Sequence, residues 1–187
     1  MKNFTLIAEG VDVAPLLAEL DAHPELWNEN PGRLMGVGPH RETSDIWVRY
    51  RAREELREPE DYRTEHRSVW YPAAEILPSM RRTVIAMIAP ILAESPRLRL
   101  GGVLMTKIPA GRNVYPHHDL GTWHSEYYTT KLWMPLRAND QCFNTSEDET
   151  VVMRPGSVWT FNNLLVHSVH NQGDTERIAL IVCTRRL

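Results

Sequence analysis

Five of the eight histidines of this 187-residue chain, His117, His118, His124, His167 and His170, fall in its second half. Within that cluster the tripeptide His117-His118-Asp119 forms an HxD pair. Alternate side chains of an extended segment point to one side, so His117 and Asp119 converge on a single ion while His118 points away. His167 stands fifty positions after His117, at the start of another strand-like run, and two neighbouring strands would bring it beside the pair. Two imidazoles and one carboxylate on one face describe the facial triad of non-haem Fe(II) oxygenases, which leaves coordination positions open for a cosubstrate and O2. An HxD by itself is common, and a histidine in a turn after Pro116 is more often a solvated or hydrogen-bonding residue. The context decides between the two readings.

Arg177 follows His167 by ten positions and opens the strongly apolar run Ile178-Ala-Leu-Ile-Val-Cys183. A guanidinium at the mouth of an apolar strand suits bidentate capture of a carboxylate, because its planar fork matches two oxygens and stays charged when desolvated. The competing reading is a surface arginine paired with Asp174 or Glu176, and the spacing to His167 argues against it.

The elements that must position these residues differ between the two halves. Val13 to Leu20 sets Leu16, Leu17 and Leu20 on one helical face, with Pro15 in a first turn that tolerates it. Ile46 to Tyr50 alternates as a strand, and the charged stretch Arg51 to Arg67 reads as a solvated loop or exposed helix. Ile76 to Leu92 carries Ile76, Met80, Val84, Met87, Ile88 and Ile91 at helical spacing, with Pro78 and Pro90 limiting its regular part. After Pro96, strand-like runs recur at Leu98–Pro109, Lys131–Leu136, Thr150–Met153, Ser157–Phe161, His167–His170 and Ile178–Thr184, separated by Gly, Pro and Asn. That rhythm predicts an antiparallel sandwich or barrel.

Residues 101 to 186 resemble the Fe(II)/2-oxoglutarate-dependent dioxygenases of the aspartyl/asparaginyl β-hydroxylase type. The segment Thr106-Lys-Ile-Pro-Ala-Gly-Arg-Asn-Val-Tyr-Pro-His117 is similar to that family's strand, Pro/Gly turn and first iron ligand. The segment Arg154-Pro-Gly-Ser-Val-Trp-Thr-Phe-Asn-Asn-Leu-Leu-Val-His167, followed by Arg177, resembles its PG turn, Phe-Asn-Asn segment, second histidine ligand and cosubstrate arginine.

The resemblance implies a mainly β protein with flanking helices around a double-stranded β-helix, or jelly-roll, cupin-like core. It implies Fe(II) held by His117, Asp119 and His167, with 2-oxoglutarate and O2 as cosubstrates. Arg177 and the Thr106 hydroxyl would hold the distal carboxylate of 2-oxoglutarate. Lys131 replaces a family arginine, and Trp133 stands where many members carry a histidine near the keto-acid end, so Lys131 is left to supply positive charge there. With Asp119 present, hydroxylation is favoured over a halogenase-like outcome.

The loop from His117 to Thr130 is longer and more aromatic than a connection needs. Trp123, His124, Tyr127 and Tyr128, with Arg137 and Asn139 across the mouth, are expected to meet the substrate. His118 and His170 are expected to lie outside the ligand set.

The chain is read as a single domain over 1–187, with residues 1–97 supplying helices and supporting strands and 98–187 most of the catalytic core. A net charge of -3 predicts no general affinity for nucleic acid. Two cysteines without zinc spacing, no apolar run of membrane-spanning length and no signal-peptide pattern predict a cytoplasmic enzyme acting on a small molecule or peptide. The same ligand types also suit a cupin-like protein with a redox-inert metal, and a jelly roll can serve as a non-catalytic binding module.

Overall fold

The computed structural model describes residues 3–30, 38–58, 61, 64, 66–119 and 128–186. Its elements are β1 (Phe4–Ala8), α1 (Ala14–Ala22), β2 (Ser44–Arg51), β3 (Ser68–Trp70), α2 (Ala73–Ile76), α3 (Met80–Glu94), β4 (Leu98–Ile108), β5 (Asn113–His117), β6 (Thr130–Arg137), β7 (Cys142–Ser146), β8 (Glu149–Val152), β9 (Val158–Phe161), β10 (His167–Asn171) and β11 (Arg177–Arg186). They form a seven-stranded sheet in the order β1-β9-β6-β11-β4-β2-β3 and a four-stranded sheet in the order β5-β10-β7-β8. All the pairings are antiparallel, which is the layout of a jelly roll.

The period-two pattern of the large sheet assigns its two faces. Ile178, Leu180 and Val182 of β11 share one core with Met105 of β4, Met134 of β6, Leu16 and Leu20 of α1, and Met80, Val84 and Met87 of α3. Ile181 and Cys183 turn the other way and pack with Trp47, Leu104, Trp133 and Phe161 between the sheets. One face of the large sheet is therefore sealed by helices, and the other lines the interior where chemistry can occur.

Two expectations for α3 change. The helix begins two residues after Pro78 and runs through Pro90 to Glu94. Pro90 removes one main-chain hydrogen bond within the last turn and a half, so little of the ladder is lost. Ile76 belongs to the separate short turn α2 and is exposed rather than part of the buried face.

The PG turn predicted at Arg154 to Ser157 does require its glycine. Gly156 has φ +76°, and a Cβ there would lie 2.5 Å from the Val11 carbonyl oxygen. The Gly156 amide donates to Pro135 O at 2.9 Å and its carbonyl accepts from Val11 N at 3.1 Å, fixing where β9 starts and hence the chain leading to His167.

Candidate active site

β5 ends at His117 and β10 begins at His167, and the register of this antiparallel pair sets the two residues directly opposite each other. Each imidazole is oriented by its own backbone. His117 Nδ1 lies 2.8 Å from Tyr115 O, and His167 Nδ1 lies 3.0 Å from Leu165 O. A carbonyl only accepts, so Nδ1 carries the proton in both rings and Nε2 presents its lone pair.

Both Nε2 atoms point at Asp119 Oδ1, each at 4.0 Å, and the three ligand atoms lie within 4.8 Å of one another. The other carboxylate oxygen is already engaged. Asp119 Oδ2 accepts from Lys131 Nζ at 2.6 Å and from Asn163 Nδ2 at 2.7 Å, while the Asp119 amide donates to Asn163 O at 3.2 Å. This leaves Oδ1 and two imidazole lone pairs aimed at one point, with outer partners locking each side chain.

The electrostatics agree with a metal site. Burial on its own raises the Asp119 carboxyl, but Lys131, His167 and the hydrogen bond from Asn163 outweigh it and hold the group below the ordinary carboxylate value. Burial pushes His167 down to about 4, so it is neutral at physiological pH, as a ligating imidazole must be. The rings of His117 and His167 stand 4.3 Å apart, flanked by His40 against His117 at 4.8 Å and Phe161 against His167 at 4.8 Å.

The cavity beside the triad is lined by His117, His167, Lys131, Thr106, Trp133 and Arg177, among others. Arg177 is 4% exposed, and its Nη2 donates to Asn144 Oδ1 at 3.3 Å. No carboxylate of a described residue pairs with it. Glu176, its sequence neighbour, bonds Arg137 instead and also lies 4.0 Å from Lys107. A buried guanidinium without an anionic partner is costly, and an anionic ligand in this cavity would offset that cost. The Trp133 indole N–H is likewise buried without an acceptor among the described residues, while its ring stacks on Phe161 at 4.0 Å. The residues present thus fit a divalent metal at the triad and a small carboxylate beside it.

Several sequence expectations need relocation. Thr106 does line the cavity, but its hydroxyl lies 2.6 Å from Asp45 Oδ1 on the adjacent strand, and that buried aspartate had no signal in the sequence. Lys131 sits between the triad and the cavity, with its ammonium on Asp119. Arg137 does not reach the cavity: it pairs with Asp21 at 2.7 Å and with Glu176. Asn139 closes a turn, donating to Asn171 Oδ1 at 3.0 Å and Thr175 O at 3.1 Å. Tyr128 is buried in the interior cluster, its hydroxyl accepting from Gly102 N at 3.1 Å. Trp123, His124 and Tyr127 lie outside the described residues. His118 is exposed, and His170 bonds Asn113 and Ser168, both away from the triad. Sequence reasoning missed Asn144 and His40 altogether; Asn163 lay in the Phe-Asn-Asn segment but had no assigned role.

The aspartyl/asparaginyl beta-hydroxylase family model matches residues 53–186. The chain belongs to this family. It is accordingly a 2-oxoglutarate-dependent non-haem iron dioxygenase of the hydroxylase type. Among curated protein sequences, nothing matches the chain significantly.

Solved structures share the fold at low identity. The viral collagen prolyl hydroxylase vCPH from Paramecium bursaria Chlorella virus-1, in complex with 2-oxoglutarate, aligns over 100% of this chain and 97% of its own at TM-score 0.57 and 11% identity. A 2OG-Fe(II) oxygenase family oxidoreductase from Burkholderia pseudomallei aligns over 91% and 79% at 0.59 and 13%. The non-haem α-ketoglutarate-dependent epimerase SnoN from nogalamycin biosynthesis aligns over 98% and 78% at 0.59 and 17%. No helix among the described residues is long and apolar enough to cross a membrane.

Proposed function

We propose that His117 Nε2, His167 Nε2 and Asp119 Oδ1 hold the Fe(II) of this family member, and that Arg177 anchors a carboxylate of 2-oxoglutarate in the adjoining cavity. The observation that carries the reading is the juxtaposition of three converging ligand atoms with a buried cation that has no carboxylate partner among the described residues. When bound, the metal with 2-oxoglutarate and O2 would supply the oxidising chemistry that turns a substrate C–H into C–OH, one oxygen atom of O2 entering the product and the other the succinate formed as carbon dioxide is released.

The chain's own residues orient and shield. Lys131 and Asn163 bind Asp119 Oδ2 and so direct Oδ1 to the metal. The backbone carbonyls of Tyr115 and Leu165 hold Nδ1 of the two histidines, fixing the tautomer that ligates. Lys131 also lines the cavity, where its charge adds to that of Arg177 for the keto-acid end, and the Trp133 N–H is a further donor there. Val114, Trp133, Val169 and Ile181 make the rest of the wall apolar and limit water near the reacting centre.

The substrate is an amino acid, a peptide side chain or a related small molecule. Cys142 and Cys183 are both buried and form no disulfide, which supports a reducing, cytoplasmic setting. Metal content after Fe(II) loading tests the triad: one equivalent in the wild type should drop to background in His167→Ala, and Asp119→Ala should abolish product formation. Full product formation by Asp119→Ala would overturn the ligand assignment.

A further inference from the structure

A second, larger cavity of about 610 Å3 opens where β11 ends and β4 begins. Four arginines line it: Arg49 of β2, Arg67 just before β3, Arg99 of β4 and Arg185 of β11. No aspartate or glutamate is among its described lining residues, although the whole chain has a net charge of -3. Arg99 and Arg185 are direct cross-strand partners, which brings two positive charges to one side of the opening.

Among the described residues, the Arg67 and Arg99 side chains have no hydrogen-bond or ion-pair partner. Arg49 is pinned by Leu100 O at 2.8 Å and Gly101 O at 2.7 Å, and its buried Nε has no acceptor among the described residues. Its burial lowers its pKa, as expected for a guanidinium held out of water without an anion. One wall is Tyr128, whose ring lies so close to Gly101 that a Cβ there would come within 2.1 Å of it.

The place of this cavity in the fold ties it to the triad. Lys131, which binds Asp119, is the cross-strand partner of Cys183, and Arg185 lies two residues further along β11 on the same face. At about 3.3 Å per residue that step is roughly 7 Å. Tyr128 shares the interior cluster with Trp133 and Phe161, whose rings reach His167. Arg99 and Arg185 therefore lie on the interior-facing side of β4 and β11 beyond Cys183, Arg49 enters the cavity from β2 opposite Val103, and Arg177 lies toward the other end of β11.

We propose that this cavity anchors the substrate through an oxyanion group, a carboxylate or a phosphate, and so holds the rest of the substrate toward the triad. The inference rests on the triad being the iron site. Guanidinium forks accept both oxyanions bidentately, and several of them around one space favour a group of more than one negative charge.

The test is isothermal titration of the intact, metal-free protein with inorganic phosphate and, separately, with N-acetyl-aspartate. Wild type, Arg67→Gln/Arg99→Gln and Arg177→Ala are compared, with Arg67→Gln alone as a second variant because its side chain is exposed and outside any strand. The expected result is saturable binding of at least one anion, weakened about tenfold or more in the double variant and retained in Arg177→Ala. Preference for phosphate or for the dicarboxylate identifies the substrate's anionic group. Binding of neither anion to wild type, or binding lost in Arg177→Ala but unchanged in both Arg67 variants, would overturn the proposal. The Arg67→Gln and Arg67→Gln/Arg99→Gln variants titrated with Fe(II) and 2-oxoglutarate should still form the coloured chelate. Failure of that band in wild type would count against the iron site, whereas anion binding reports on the arginine cavity by itself.

Discussion

Arg177 is buried, hydrogen-bonded to Asn144, and without a carboxylate partner among the described residues. A cation so placed should weaken the free protein and strengthen the complex. Arg177→Met is therefore expected to leave the urea midpoint unchanged or higher while weakening 2-oxoglutarate by about thirtyfold or more, roughly 2 kcal/mol. A lower midpoint with unchanged 2-oxoglutarate affinity would make Arg177 a packing residue.

Asn163→Ala should act through Asp119, since it removes one of two donors to Oδ2. Fe(II) affinity should fall about 10–100-fold, with Asn163→Asp failing to rescue it because it places a second carboxylate against Asp119. His167 supplies a pH dependence. Its folded value of about 4 lies below the ordinary 6.5, so between those values the unfolded chain binds a proton that the folded chain does not. Stability of the metal-free protein should accordingly drop as pH falls from 6.5 to 4, and His167→Gln should flatten that slope in a pH series of denaturation curves. An unchanged slope would place the ionisation elsewhere. Asp119 works in the same sense at lower pH: its lowered value contributes stability above the ordinary carboxylate range that is lost only at more acid pH.

His117, Asp119, His167 and Arg177 were legible because each sits in a run whose local spacing bears on the chemistry. At the level of elements the same rule explains what was not legible. The helix α1 and the strands β2, β4, β6, β8, β9, β10 and β11 carry apolar periodicity and could be read directly. β7 could not, because two of the three residues it buries, Asn144 and Ser146, are polar, and Asn144 serves Arg177. A strand whose inward face is polar loses the alternation that marks a strand. Asn144 and Asp45 reach Arg177 and Thr106 only through strand register, and His40 lines the cavity from the turn before β2, neither of which a local motif encodes. The aromatic loop signal at Tyr128 was real but its direction was not readable, since the residue turned inward onto Gly101.

The two faces of β11 make separable predictions. Leu180 is fully buried against the helices, so Leu180→Ala should cost about 2–5 kcal/mol in urea denaturation while 2-oxoglutarate affinity stays within about twofold. Coupled loss of both would mean that the outer core sets the geometry of the site.

Across the whole molecule, a nearly neutral chain concentrates positive charge at two places in the jelly roll: Arg177 with Lys131 beside the triad, and four arginines at the neighbouring cavity. Binding at the first should stabilise the fold by mass action. Fe(II) with 2-oxoglutarate at about a hundredfold over its dissociation constant should add roughly 2.7 kcal/mol, visible as a raised melting temperature that Arg177→Met fails to show.

The iron and 2-oxoglutarate site is tested by an anaerobic titration of metal-free protein with Fe(II) and then 2-oxoglutarate, followed by visible absorption. A charge-transfer band of the metal-bound keto acid is expected, saturating at one equivalent in wild type, absent in His167→Ala and requiring much more 2-oxoglutarate in Arg177→Met. A folded wild-type protein that binds Fe(II) yet never develops the band, or a band that survives intact in His167→Ala, would contradict the assignment of the site.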